Sequence, residues 1–123
     1  MALPSKFYIS DLHLGHKNIL AFDNRPFFSL EEMKKHFVWI KDYAVIKDGE
    51  EHVVLCHYPI AHWINADYGY IHLYGHIHNG RDTRPFDEYA QQMRERGFSY
   101  KCANVGCMLH DYTPVTLDDL GLR

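Results

Sequence analysis

An α/β fold built on a mixed sheet is the expectation from three features of this 123-residue chain. Short apolar runs of strand character recur at Phe7-Tyr8-Ile9, Val53-Val54-Leu55 and Tyr70-Ile71-His72-Leu73-Tyr74, and each runs into a cluster of polar residues. The dipeptide Asp48-Gly49 separates Tyr43–Lys47 from Glu51–Cys56 and favours the primed turns that join twisted antiparallel strands. Helix signals lie between the strands, so strands and helices alternate along the chain.

Taken in order, Lys6–Ser10 reads as a first strand that leads into Asp11-Leu12-His13-Leu14-Gly15-His16. A polar connector through Asn24-Arg25-Pro26 follows. Ser29 with Glu32 forms a capping box, which starts a helix at Leu30. Leu30, Met33, Phe37 and Ile40 keep helical spacing, although Phe37-Val38-Trp39-Ile40 also has strand character. The hairpin around Asp48-Gly49 comes next, then a short turn or helix between Pro59 and Ala66, then the strand ending at Tyr74. Pro85 precedes a helix over about Phe86–Arg96, which Gly97 is placed to end. Tyr100–Val105 and Pro114–Leu117 complete the predicted strands.

Composition narrows the function classes. With 46% hydrophobic and 15% aromatic residues the chain can bury a core, and 123 residues fit a single domain, 1–123. The net charge of −3 comes with no basic block, which argues against an extended nucleic-acid surface but leaves room for a small phosphorylated molecule or nucleotide. Cys56, Cys102 and Cys107 have neither disulfide nor zinc-ribbon spacing, and Cys56 reads as a small core residue. No stretch is apolar enough to span a membrane, so a reducing, cytoplasmic setting is the expectation.

The chemistry concentrates in three clusters at strand ends. They are Asp11 and His13, then His57 in Cys56-His57-Tyr58-Pro59, then His76 and His78 in Gly75-His76-Ile77-His78. Side chains two apart on a strand share a face, and at the following turn such pairs can converge on one ion. Carboxylate and imidazole together suit zinc, manganese, iron and similar divalent cations. His36, His52, His62, His72 and His110 lack ligand spacing and read as structural or solvated.

These residues resemble the calcineurin-like metallophosphoesterase superfamily, most of all its small bacterial and phage-type members. The opening Ile9-Ser10-Asp11-Leu12-His13-Leu14-Gly15-His16-Lys17-Asn18-Ile19 carries the likeness. So do Phe22-Asp23-Asn24-Arg25-Pro26-Phe27, His57-Tyr58-Pro59-Ile60, Leu73-Tyr74-Gly75-His76-Ile77-His78-Asn79 and Asn104-Val105-Gly106. The resemblance implies a sandwich of two mixed sheets flanked by helices, with metals at the strand ends. It implies Asp11, His13 and His78 at a first metal and His57 and His76 at a second, with His16, Arg25 and Asn79 toward substrate. His16 also fits a surface position, and Arg25 also fits a surface salt bridge.

Two motifs of the family are absent from this sequence: the Gly-Asp whose carboxylate bridges both metals, and the Gly-Asn-His that supplies an Asn ligand and a leaving-group His. The flanking segments abut near Lys34-Lys35, so the chain reads as internally shortened there. Two dications about 4 Å apart repel by about 16 kcal/mol at an effective dielectric near 20. Without the bridging carboxylate, one ion of Mn, Zn or Fe per chain is the physical default; two would need a substitute bridge, for which Asp23 and Asp42 are available. Two functions follow from the resemblance. One is hydrolysis of a phosphomonoester or phosphodiester by metal-activated water, slowed by the missing groups. The other is a catalytically impaired metal-binding or assembly protein of the same fold. The missing block would expose a sheet edge, and a symmetric homodimer is the favoured way to cover it.

Overall fold

A computed structural model describes residues 6–12, 35, 37–78, 81 and 83–123. The chain divides into two compact units, Met1–Asp11 with Tyr43–Arg123, and Leu12–Asp42. In the second unit the described stretch 37–40 is neither helix nor strand, although its sequence carries signals for both. There the Lys41 ammonium lies 5.5 Å from the centre of the Trp39 ring. The helix expected from Leu30 lies outside the described residues, as does the junction at Lys34.

The larger unit is an α/β fold. Four strands, β1 (Tyr43–Asp48), β2 (Glu51–Cys56), β3 (Ile71–Tyr74) and β4 (Cys102–Asn104), form one mixed sheet in the order β1-β2-β3-β4. β1 and β2 are the antiparallel hairpin read from the sequence, in register from Tyr43↔Cys56 to Asp48↔Glu51, so Gly49 and Glu50 form a two-residue loop. β2, β3 and β4 run parallel, with Val53↔Ile71 and His72↔Cys102 as partners. Parallel neighbours need a crossover. Residues 57–70, with a 3-10 turn at Ala66–Tyr68, make the first, and α1 (Thr83–Glu95) makes the second.

Among the described residues there is one sheet rather than the two of a sandwich, and the sheet is extended only by single bridges. Tyr8 bridges Val115 antiparallel, and Ser10 bridges Gly106 in parallel. These replace the strands expected at Lys6–Ser10 and Pro114–Leu117. The Tyr8–Val115 pair exchanges both backbone hydrogen bonds, Tyr8 N–H to Val115 O (2.8 Å) and Val115 N–H to Tyr8 O (2.9 Å). On the other side, Asp11 turns to a φ of 63° and leaves the extended conformation.

Side-chain alternation splits the core across the sheet. Val53, Ile71 and Leu73 pack with Tyr8, Val105, Val115 and Leu117 on one face. Val54, Tyr74 and Cys102 pack with Trp63, Ile77, Ala90 and Tyr100 on the other. All four residues of β3 are buried, as a central strand between two parallel neighbours requires. α1 presents Phe86, Tyr89, Ala90 and Met93 to the second face, at the i, i+3, i+4, i+7 spacing of an amphipathic helix. It starts before Phe86 because Pro85 is tolerated in the first turn. It ends in a Schellman cap: Gly97, at φ 92°, donates to the Arg94 carbonyl, and Phe98 donates to that of Met93.

A polar clasp fastens the hairpin. Asp48 is buried; it accepts a 2.6 Å hydrogen bond from the Tyr8 hydroxyl and a 2.9 Å charge-assisted bond from Arg123. Burial by itself would raise the Asp48 carboxyl, but the bonds from Tyr8 and Arg123 hold it below the ordinary carboxylate range. Burial and the neighbouring carboxylate push the Tyr8 phenol upward. Among the described residues no helix is long and apolar enough to cross a membrane.

Candidate functional site

The three parallel strands end at the same edge of the sheet, the edge at which open parallel sheets place ligands. Each end is tied to its neighbour by the backbone. Gly75 N–H donates to His57 O (2.8 Å), Val105 N–H to Tyr74 O (2.8 Å) and Ser10 N–H to Val105 O (3.0 Å). The residues after β2, β3 and β4 are thereby gathered beside Ser10 and Asp11.

Asp11 is the centre of this edge. Its side chain is 2% exposed, and both carboxylate oxygens are engaged. Ser10 Oγ donates to Oδ2 (3.0 Å), and the His76 N–H donates to Oδ1 (3.1 Å). Oδ1 also faces His57 Nε2 and His78 Nε2, each at 3.7 Å, and those two side chains are nearly half exposed, at 45% and 49%. His76 packs edge-on against His57, ring centres 5.3 Å apart. Four of the five ligand residues expected from the sequence, Asp11, His57, His76 and His78, therefore meet in one place. His13 lies outside the described residues, as do His16, Arg25 and Asn79.

Two glycines make room for the carboxylate. A Cβ on Gly75 would stand 2.7 Å from Asp11 Oδ2 and 2.9 Å from Ser10 Cβ; one on Gly106 would stand 2.9 Å from the same oxygen. Asn104 braces the loop that carries the histidines: its side-chain amide donates to Ile77 O (2.6 Å), and its oxygen accepts from Gly106 N–H (2.8 Å). The approach of Gly75 to Asp11 and the bond from Asn104 to Ile77 were not legible as site features, since the partners lie far apart in the chain; Ser10 bonds its own neighbour, Asp11.

The backbone is strained at the same point. Asp11 (φ 63°) and His76 (φ 70°) both adopt the left-handed conformation, which costs a non-glycine residue about 1–2 kcal/mol. Strain of this kind gathers where a structure holds functional groups in place.

The donor set is chemically suited to a divalent transition ion. Two donors each about 2.1 Å from an ion in tetrahedral geometry are about 3.4 Å apart. The two Asp11–imidazole separations of 3.7 Å are therefore close to, but wider than, chelating distance. As the side chains stand, no group of three His, Cys, Asp or Glu among the described residues is close enough to hold an ion. The buried carboxylate, for its part, faces imidazoles and no Lys or Arg among the described residues. No family model matches this chain, and no curated protein or solved structure matches it either.

Proposed function

We propose that this chain is a metal-dependent phosphoesterase that hydrolyses a phosphomonoester or phosphodiester of a small molecule or nucleotide. The observation that carries the reading is the Asp11 carboxylate, withdrawn from water and faced, among the side chains of the described residues, by Ser10 and the imidazoles of His57 and His78. Burying a charged carboxylate costs several kcal/mol unless an opposite charge compensates. A divalent cation supplies that charge with a ligand set of carboxylate and imidazole. Asp11 with His57 and His78, the imidazoles that face its carboxylate, would hold one Mn, Zn or Fe ion. When bound, such an ion supplies Lewis acidity toward a phosphoryl oxygen and toward water.

The protein's own part is positional. Ser10 and the His76 N–H fix both carboxylate oxygens, so Asp11 Oδ1 faces the imidazoles without rearrangement. The half-exposed rings of His57 and His78 leave that side open to an anionic substrate. The resemblance to calcineurin-like metallophosphoesterases in the three strand-end clusters supports the reaction class.

A second reading, a metal-binding or assembly protein without turnover, is favoured by the absence of the Gly-Asp and Gly-Asn-His motifs. One experiment separates the two. Protein purified without chelator is analysed for metal and assayed on p-nitrophenyl phosphate with added Mn²⁺ or Zn²⁺. About one ion per chain with turnover, both lost in Asp11→Asn, supports the phosphoesterase. One ion without turnover supports the second reading, and a chain that holds no ion overturns both.

A further inference from the structure

Tyr58 follows directly on His57 and is 58% exposed, an unusual position for an aromatic ring beside a polar site. It is not loose on the surface. Its ring packs edge-on against His57 (centres 5.1 Å apart, planes at 72°) and against His76 (4.7 Å, 61°). These are the separations and angles of favourable aromatic pairs. The His57 and His76 rings are themselves in edge contact, so the three rings form one cluster. The same imidazole that faces Asp11 Oδ1, His57, thus holds Tyr58 beside the carboxylate with more than half of the residue open. The core explains none of this, because Tyr58 belongs to neither hydrophobic cluster.

We infer that Tyr58 is a specificity-determining residue of this site, a platform that favours phosphoesters carrying a planar aromatic group over those carrying an alkyl group. The inference rests on the phosphoesterase reading and extends it to the substrate class. An aromatic ring anchored on two sides gives up little conformational freedom when a second ring stacks on it. The phosphate stays on the Asp11 side of His57, while the aromatic group meets Tyr58. A ring–ring contact of this kind is worth about 2–12-fold in affinity, from about 0.5–1.5 kcal/mol.

The test uses the full chain loaded with Zn²⁺, its metal content checked by elemental analysis. Dissociation constants for phenyl phosphate, uridine monophosphate and methyl phosphate are measured by NMR titration, for wild type, Tyr58→Leu and Tyr58→Phe. Tyr58 is exposed, so neither substitution threatens the core. The expected result is that one or both aromatic ligands bind about 3–10-fold tighter than methyl phosphate, a preference lost in Tyr58→Leu and kept in Tyr58→Phe. Preference for phenyl phosphate alone identifies an aryl ester, and preference for uridine monophosphate alone a base carried on a sugar. Equal affinity for all three ligands, or a preference that survives Tyr58→Leu, overturns the role of Tyr58 and leaves the metal reading standing. A protein that takes up no Zn²⁺ overturns the metal reading and this inference with it.

Discussion

His72 gives the sharpest test of how this core is held together. It is fully buried in β3, and both ring nitrogens are committed. Nδ1 lies 3.1 Å from the Val54 carbonyl, and Nε2 accepts the Ile60 N–H at 3.0 Å. Those partners specify a neutral ring with its proton on Nδ1. Trp63 and Tyr74 pack on it, each 5.3 Å between ring centres. Burial lowers the pKa below its ordinary value of about 6.5, and backbone hydrogen bonding to Val54 and Tyr58 offsets part of that shift. A His72→Leu variant keeps most of the volume but strands the partly buried Ile60 N–H, at about 1–3 kcal/mol, and removes the ring's own bond to the Val54 carbonyl, at about 0.5–1.5 kcal/mol. The variant is therefore expected to be about 1.5–4.5 kcal/mol less stable at pH 7.5. The sign of the pH effect follows from the lowered pKa. Below about pH 6.5 the unfolded chain takes up a proton that the folded chain refuses, so the His72 contribution is complete above that value and is lost as pH falls. At pH 5.5 one such group removes up to about 1.4 kcal/mol from the wild type and nothing from the variant. Urea unfolding followed by circular dichroism at pH 7.5 and 5.5 measures both. A gap below about 1 kcal/mol at pH 7.5, or one that widens at pH 5.5, would refute the reasoning.

Other expectations follow from the clasp and the cradle. Tyr8→Phe removes the 2.6 Å bond to buried Asp48 and should cost about 1–2 kcal/mol by urea unfolding at pH 7. Because the Asp48 carboxyl is held low, its contribution is present above about pH 3.9 and is lost as pH falls further; Tyr8→Phe should flatten that acid limb, and an unchanged limb would count against the clasp. Gly75→Ala places a methyl group against Ser10 and Asp11 and should cost about 1–3 kcal/mol, with metal affinity reduced about 10–100-fold. A Gly75→Ala protein with wild-type stability and metal content would show that the carboxylate is not held as described.

Much of the framework is readable from local sequence, because its causes are local. The Asp48-Gly49 hairpin, the helix that stops at Gly97 and the strand ending at Tyr74 depend on turn chemistry and periodicity within a few residues. The same signals put His57, His76 and His78 just beyond strand ends, where the structure has them. Where local signals conflicted or were overruled, the reading failed. The stretch 37–40 takes up neither of its two tendencies, and the strands expected at Lys6–Ser10 and Pro114–Leu117 shrink to single bridges, with Asp11 turning out of the extended conformation just after Ser10.

The roles within the site needed the tertiary structure. His72, His76 and His78 stand within seven positions of one another, and the sequence already reads His72 as structural and His76 and His78 as the strand-end pair, without showing what each would meet. Parallel pairing on both sides buries His72 as a neutral core residue, and the chain's exit from β3 brings His76 and His78 to Asp11. The seats of Ser10, Gly75, Gly106 and Asn104 around the carboxylate likewise come from the meeting of β3, β4 and the Ser10–Asp11 segment. The bond from His76 N–H to Asp11 spans 65 positions of sequence. A contact at that separation is set by which strands lie side by side, and strand order is a property of the folded sheet as a whole. Residue types and strand-end positions were therefore available to sequence reasoning, while the fixing of the Asp11 carboxylate was decided by the packing of distant segments.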